Sequence, residues 1–92
     1  MEDDDFEWDD AKAKANFRKH KVRFRAASRV FDDPLVLTEQ DLAEDYGEDR
    51  FVAVGRVEGV LITVVFTERG ERVRSISARK ANNDERRAYD RS

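Results

Sequence analysis

The chain has 92 residues, no cysteine and one histidine, and its 21 acids against 18 lysines and arginines leave a formal net charge of -3. That length suits one domain, residues 1–92, with a thin core; the composition excludes disulfide and thiolate–metal frameworks and a histidine-rich zinc site. No apolar run approaches the ~18 residues of a membrane span, and the acidic N-terminus does not read as a secretory signal, so a cytoplasmic protein with no membrane partner is expected.

The charges are segregated. Met1–Asp10 carries seven acids and no base, Ala11–Val30 eight bases and no acid, Phe31–Asp49 eight acids and no base, and the remainder ten bases against six acids. Blocks of one sign mark interaction surfaces. Overall acidity argues against indiscriminate coating of nucleic acid but leaves room for a local cationic cleft. The plain alternative for any one of these charges is solvated surface.

Phe6-Glu7-Trp8 alternates as a short strand does. Asp9 fits a helix N-cap with Asp10 in the first turn, and Ala11–His20 is good helix-forming sequence. Its lysines Lys12, Lys14 and Lys19, followed by Lys21, are most simply a solvated face, notable because no acid interrupts them. Phe24, Ala27 and Phe31, with Ala26 and Val30, form the stripe of a second short helix, which Asp32-Asp33-Pro34 stops. Leu35–Thr38 reads as a strand and Glu39–Asp49 as an acidic loop.

The clearest β-pattern begins at Phe51. Phe51–Val57 alternates, and Glu58-Gly59 stands where a two-residue hairpin turn would. That register sets Val57 against Val60, Gly55 against Ile62 and Phe51 against Phe66. One sheet face then holds Phe51, Ala53, Ile62, Val64 and Phe66. The other, open face holds Val54, Arg56, Thr63 and Val65. The turn near Arg69-Gly70 leaves two registers. A two-residue loop sends Val73, Ser75 and Ser77 to the core and Arg72 and Arg74 to the Arg56 face. A three-residue loop sends Ser75, Ser77 and Arg79 to the Arg56 face instead. Asn82-Asn83-Asp84-Glu85 is a capping box opening a helix to about Asp90, with Ala88 and Tyr89 as its docking residues.

There is no Gly-rich phosphate loop, nucleophile elbow or carboxylate-rich metal loop. The available chemistry is Arg, Lys, one His and hydroxyls, which suits a metal-free, cofactor-free ribonuclease. Such an enzyme needs a base for the ribose 2′-hydroxyl, cations for the charge developing on phosphoryl oxygens and an acid for the leaving oxygen. Arginine forks match two phosphate oxygens. Histidine is the residue type suited to proton transfer near neutral pH, which makes His20 the candidate, although a helix-end histidine can equally serve the negative helix terminus. Arg56, Arg74 and Arg79 are the phosphate candidates, with surface ion pairing as the plain alternative. Trp8 and Tyr46 could stack bases, with core packing the simpler role for Trp8.

Phe6-Glu7-Trp8-Asp9, Lys14, Asn16, Lys19-His20-x-Val22-x-Phe24, Ala27 and Val30-Phe31-Asp32 resemble the opening of BrnT-type toxins. So do Gly55-Arg56, Val64-Val65-Phe66-Thr67-x-Arg69, Arg74-x-Ile76-Ser77-Ala78-Arg79-Lys80-Ala81 and Glu85-Arg86-x-x-Tyr89 toward the other end. Lys21 departs from the glycine usual after the histidine, Arg23 from a small capping residue and Ser75 from an aliphatic one. The resemblance implies a RelE-like α+β ribonuclease toxin of a type II toxin–antitoxin pair. Two N-terminal helices would pack on a mostly antiparallel sheet of four to five strands, followed by a short C-terminal helix. It implies a BrnA-like antitoxin partner, an RNA substrate, and operator DNA reached only through the antitoxin. His20, Arg56, Arg74 and Arg79 would be catalytic, with Lys19, Arg69 and Lys80 on neighbouring phosphates. The rival readings are a non-enzymatic binding module and an inactive homologue that acts as the antitoxin's co-repressor.

Overall fold

In the computed structural model, which describes residues 5–41 and 48–91, the expected hairpin forms the centre of a five-stranded sheet. The strands are β1 (Phe6–Glu7), β2 (Leu37–Asp41), β3 (Arg50–Val57), β4 (Val60–Arg69) and β5 (Arg72–Lys80), in the order β1-β5-β4-β3-β2. Only β1 on β5 is parallel. The helices are α1 (Asp10–His20), α2 (Phe24–Ala27), which runs on as a 3-10 turn over Ser28–Asp32, and α3 (Asn83–Arg91). The architecture is α+β.

Local chemistry accounts for the elements. Asp9 caps α1 by accepting from the Lys12 N–H at 3.0 Å, which satisfies a donor the helix cannot. Lys21 ends it in the left-handed region, at φ 60°, donating its N–H to the Phe17 carbonyl; a glycine would hold that conformation without steric cost. The turn therefore forms despite the side chain at position 21. Buried Asn16 then fixes the path of the chain beyond that turn. Its amide donates to the carbonyls of Val22 and Ala78 and accepts from the Ala78 N–H at 3.0, 2.8 and 3.0 Å. One side chain thus satisfies the backbone of β5 where its outer edge runs past short β1, and ties it to the chain leaving α1.

The main core lies between the helices and one sheet face. Trp8, Val22, Phe24, Ala27 and Val30 meet Ala53, Ile62, Val64, Phe66 and Ala78, flanked by Phe6, Phe31 and Phe51. The 3-10 turn presses so close on β3 that a Cβ on Gly55 would lie 2.8 Å from the Val30 carbonyl oxygen. Trp8 belongs to this core and is not available as a stacking platform.

Three expectations need correction. The strand expected at Leu35–Thr38 is displaced to Leu37–Asp41, because the Asp33 carboxylate and carbonyl accept from Leu35 and Val36 N–H groups and turn the chain there. Glu39–Asp41 of the expected loop are consequently strand, while Tyr46 lies outside the described residues. The second sheet face is not fully open: α3 packs on it, burying Tyr89 and Ala81 against Val54 and Leu61.

Candidate functional site

The β4–β5 register decides which arginines share a face. Arg69 pairs with Arg72 across a two-residue turn, so Val73 and Ser75 join the core side and Arg74 lies beside Thr67 on the Arg56 face. A register shift occurs between Val65 and Phe66, where Ile76 is the extra residue of β5. Such a bulge reverses the alternation beyond it. Ser77 and Arg79 therefore pair with Val65 and Thr63 on the Arg56 face, and Ala78 pairs with Val64 in the core. Each of the two registers left open by the sequence is right for one half of β5, and the bulge brings Arg56, Arg74 and Arg79 to one face.

They are not equally close. Arg56 pairs with Leu61 and Arg79 with Thr63, which separates their Cα atoms by two strands and two residues, roughly 12 Å. α3 lies over the strand positions between them, with its Glu85 at Arg79 and its Tyr89 at Arg56. Arg74 lies opposite Thr67, near the other end of β5, and Arg69 lies beyond it at the exposed hairpin tip. Arg69 is eight residues along β4 from Leu61, about 26 Å. Arg79 therefore sits between Arg56 and Arg74: Thr63 and Thr67 are four residues apart along β4, which sets Arg74 roughly 14 Å from Arg79, and Arg69 lies beyond Arg74.

Carboxylates hold two of these four cations, Arg79 and Arg74. Arg79 makes a bidentate pair with Glu85 at 2.7 and 2.9 Å. Glu85 also accepts from the Thr63 hydroxyl and from the Asn82 N–H, both at 2.9 Å, while its own N–H donates to the Asn82 side chain. The expected capping box is thus formed and doubles as the clamp on Arg79. Burial pushes the Glu85 carboxyl up, but the hydrogen bonds from Arg79, the Asn82 N–H and Thr63 outweigh it and hold it below the ordinary 4.5; the bond to Glu85 raises Arg79. Arg74 pairs with Glu7 at 2.9 Å. Both arginine side chains are largely buried, at 33% and 27% exposure.

Arg56 is exposed and rests 5.6 Å from the centre of the Tyr89 ring. Its backbone N–H donates to Asp33, whose carboxylate also accepts from the Tyr89 hydroxyl at 2.6 Å. The bond from Tyr89, then those from the Leu35 and Arg56 N–H groups, hold the Asp33 carboxyl below its usual range. Asp33 thus joins the end of the helical layer, the free edge of β3 and the α3 tyrosine.

The remaining candidates flank β5. His20 and Lys19 line a shallow recess with Ile76 and Ser77, and Ser77 is two residues from Arg79 in the same strand. Lys80 pairs with Ile62 and turns to the helical side, where it borders Phe17, Lys21 and Arg23. Sequence reasoning missed Glu85, Glu7 and Asp33 as partners. The capping-box spacing was the available signal for Glu85; nothing local announced the other two.

A family model described as "Ribonuclease toxin, BrnT, of type II toxin-antitoxin system" matches residues 8–85. The chain belongs to this family. The BrnT match spans Arg56, Arg74 and Arg79 together with Glu85, and stops short of Glu7 and of Tyr89. As a type II system, the family implies an antitoxin partner. No curated protein matches the chain at a significant level. Among the described residues, no helix is long and apolar enough to cross a membrane.

Proposed function

We propose that this protein is an endoribonuclease toxin whose reaction centre is the sheet face around Arg56 and Arg79, working without a metal or other cofactor and neutralised by a BrnA-like antitoxin. The observation that carries the reading is the β5 bulge, which turns Arg79 to the face of Arg56 in a chain of the ribonuclease toxin family. In the reaction, the ribose 2′-oxygen forms a bond to phosphorus as the bond from phosphorus to the 5′-oxygen breaks. A base takes the 2′-hydroxyl proton and an acid supplies one to the departing oxygen. The two guanidinium groups stabilise the charge on the non-bridging oxygens. His20, at the β5 edge beside Ser77, is the proton-transfer candidate; Lys19 and Arg69 would hold phosphates along the strand, and Lys80, which turns to the helical side, would meet a phosphate where the RNA leaves the sheet face. Arg74, beside Glu7, would steady the RNA farther from the scissile bond. Cytoplasmic action on RNA, with operator DNA reached only through the antitoxin, accords with this reading, as does folding of residues 1–92 as one domain.

The test is RNA incubated with purified protein in chelator. Cutting is expected to persist in chelator and to collapse in an Arg56→Ala, Arg79→Ala double variant. Loss of cutting on chelation alone would overturn the metal-free part, and undiminished cutting by the variant would overturn the site. Expression in a host separates the rival readings. Growth arrest relieved by a co-expressed antitoxin supports the toxin, whereas harmless expression with DNA binding only in complex supports the co-repressor.

A further inference from the structure

A second concavity lies away from the sheet arginines. It is a cleft of about 430 Å³ between α1 and the start of α2, lined by Trp8, Phe17, Lys14, Arg18, Arg23 and Arg25, together with Ala13 and Phe24. No carboxylate is among the lining residues. Lys14, Phe17 and Arg18 share one stripe of α1, being three and four residues apart. The left-handed Lys21 and the Asn16 bond to the Val22 carbonyl fold Arg23 back over that stripe. As a result the Arg23 guanidinium lies 4.3 Å from the centre of the Phe17 ring, and Arg25 lies 5.9 Å from that of Trp8. Lys14, Arg18, Arg23 and Arg25 are all exposed. Lys21, 5.9 Å from the Phe17 ring, and Lys80 extend the positive surface around the corner.

We propose that this cleft is a second RNA-contact site, which takes one nucleotide of a strand outside the reaction centre. The base stacks on the Phe17–Arg23 platform, and the flanking phosphates meet Lys14 and Arg18. The chemistry is specific to a nucleotide in two ways. Unpaired bases stack on aromatic rings and on guanidinium planes, and the cleft supplies one laid upon the other. Cations uninterrupted by acid track a phosphate backbone, and they are the reason a chain of net charge -3 can hold a polyanion on one side. The choice of RNA over another base-bearing polyanion rests on the ribonuclease reading above.

The test uses a fluorescein-labelled single-stranded 2′-O-methyl RNA, which lacks the attacking hydroxyl and cannot be cut, with inorganic polyphosphate as a base-free competitor. For a Lys14→Gln, Arg18→Gln, Arg23→Gln triple variant, the slope of log affinity against log salt should fall by about 1.4, which is the two phosphate contacts of Lys14 and Arg18 at about 0.7 each, and the loss of the Arg23 plane should weaken binding further. Phe17→Leu keeps an apolar side chain and removes the flat ring. It should weaken RNA about tenfold and leave polyphosphate within about twofold; circular dichroism checks that the variants fold. Unchanged affinity and slope in the triple variant would overturn the proposal. So would a Phe17→Leu variant that weakens both ligands alike or neither, or duplex DNA that binds more tightly than RNA and is insensitive to Phe17→Leu. Wild-type protein that binds the analogue through this cleft yet cuts no RNA would sink the ribonuclease reading and leave the cleft standing.

Discussion

The sheet face and the helical face both present arginines, but they hold them differently. On the sheet face Arg79 and Arg74 are largely buried and aimed by Glu85 and Glu7, while Arg56 is exposed and rests on the Tyr89 ring. On the helical face Lys14, Arg18 and Arg23 are exposed, and Arg23 is steadied by an aromatic ring in place of a carboxylate. A cation fixed before substrate arrives can stabilise charge that develops during reaction, because no reorganisation is left to do. A mobile, hydrated cation serves better for capture, where range and salt-sensitive attraction matter. The same residue type thus suits two tasks, and the difference lies in what surrounds it.

The sharpest way to break that contrast is at Arg79. Arg79→Ala should lower the cleavage rate at saturating RNA by roughly 10²–10³-fold, the usual cost of removing one preorganised donor to a developing charge; single-turnover kinetics would show it. The frame that holds both faces comes next. Asn16→Ala leaves the Val22 and Ala78 backbone groups without their partner in a buried setting. It should cost about 3 kcal/mol of stability in urea unfolding. Gly55→Ala sets a methyl against Val30 backbone and should cost about 2 kcal/mol by the same measurement. In the opposite direction, Lys21→Gly relieves a left-handed non-glycine residue and should raise stability by about 1 kcal/mol. The smallest effect concerns pH. Because the folded Glu85 carboxyl lies below its ordinary value of 4.5, its contribution is present above about that pH and is lost as pH falls through the lower folded value. Glu85→Gln should be less stable than the parent at neutral pH, with a gap that narrows below pH 4.5 in thermal scans; a constant gap would remove the carboxylate's part in the clamp.

The helix starts, the capping box and the β3–β4 register were legible in the sequence, since each rests on residues close together. Glu58-Gly59 sets a two-residue turn, and strand periodicity then forces Arg56 away from Phe51 and Phe66. The β5 bulge was not legible. Ile76 looks like any strand residue, and its displacement depends on how β5 meets both β4 and α1. Long-range pairing hid the rest. Glu7 reaches Arg74 only through a parallel β1–β5 contact 67 residues apart in sequence. Asp33, read as a helix stop, meets Tyr89 across 56 residues. The capping box announced α3, but not which sheet face it would cover. The arginines were identifiable by type, whereas the carboxylates that aim them emerged only with the topology.

One paired measurement tests the division of labour most directly: single-turnover RNA cleavage, in chelator, across a range of protein concentrations. It compares the Arg56→Ala, Arg79→Ala variant with the Lys14→Gln, Arg18→Gln, Arg23→Gln variant. The sheet-face variant should lose the rate at saturation while still binding the uncuttable analogue. The helical-face variant should keep that rate and need more protein to reach it. Undiminished saturating cleavage by the sheet-face variant, or loss of saturating rate in the helical-face variant alone, would contradict the account.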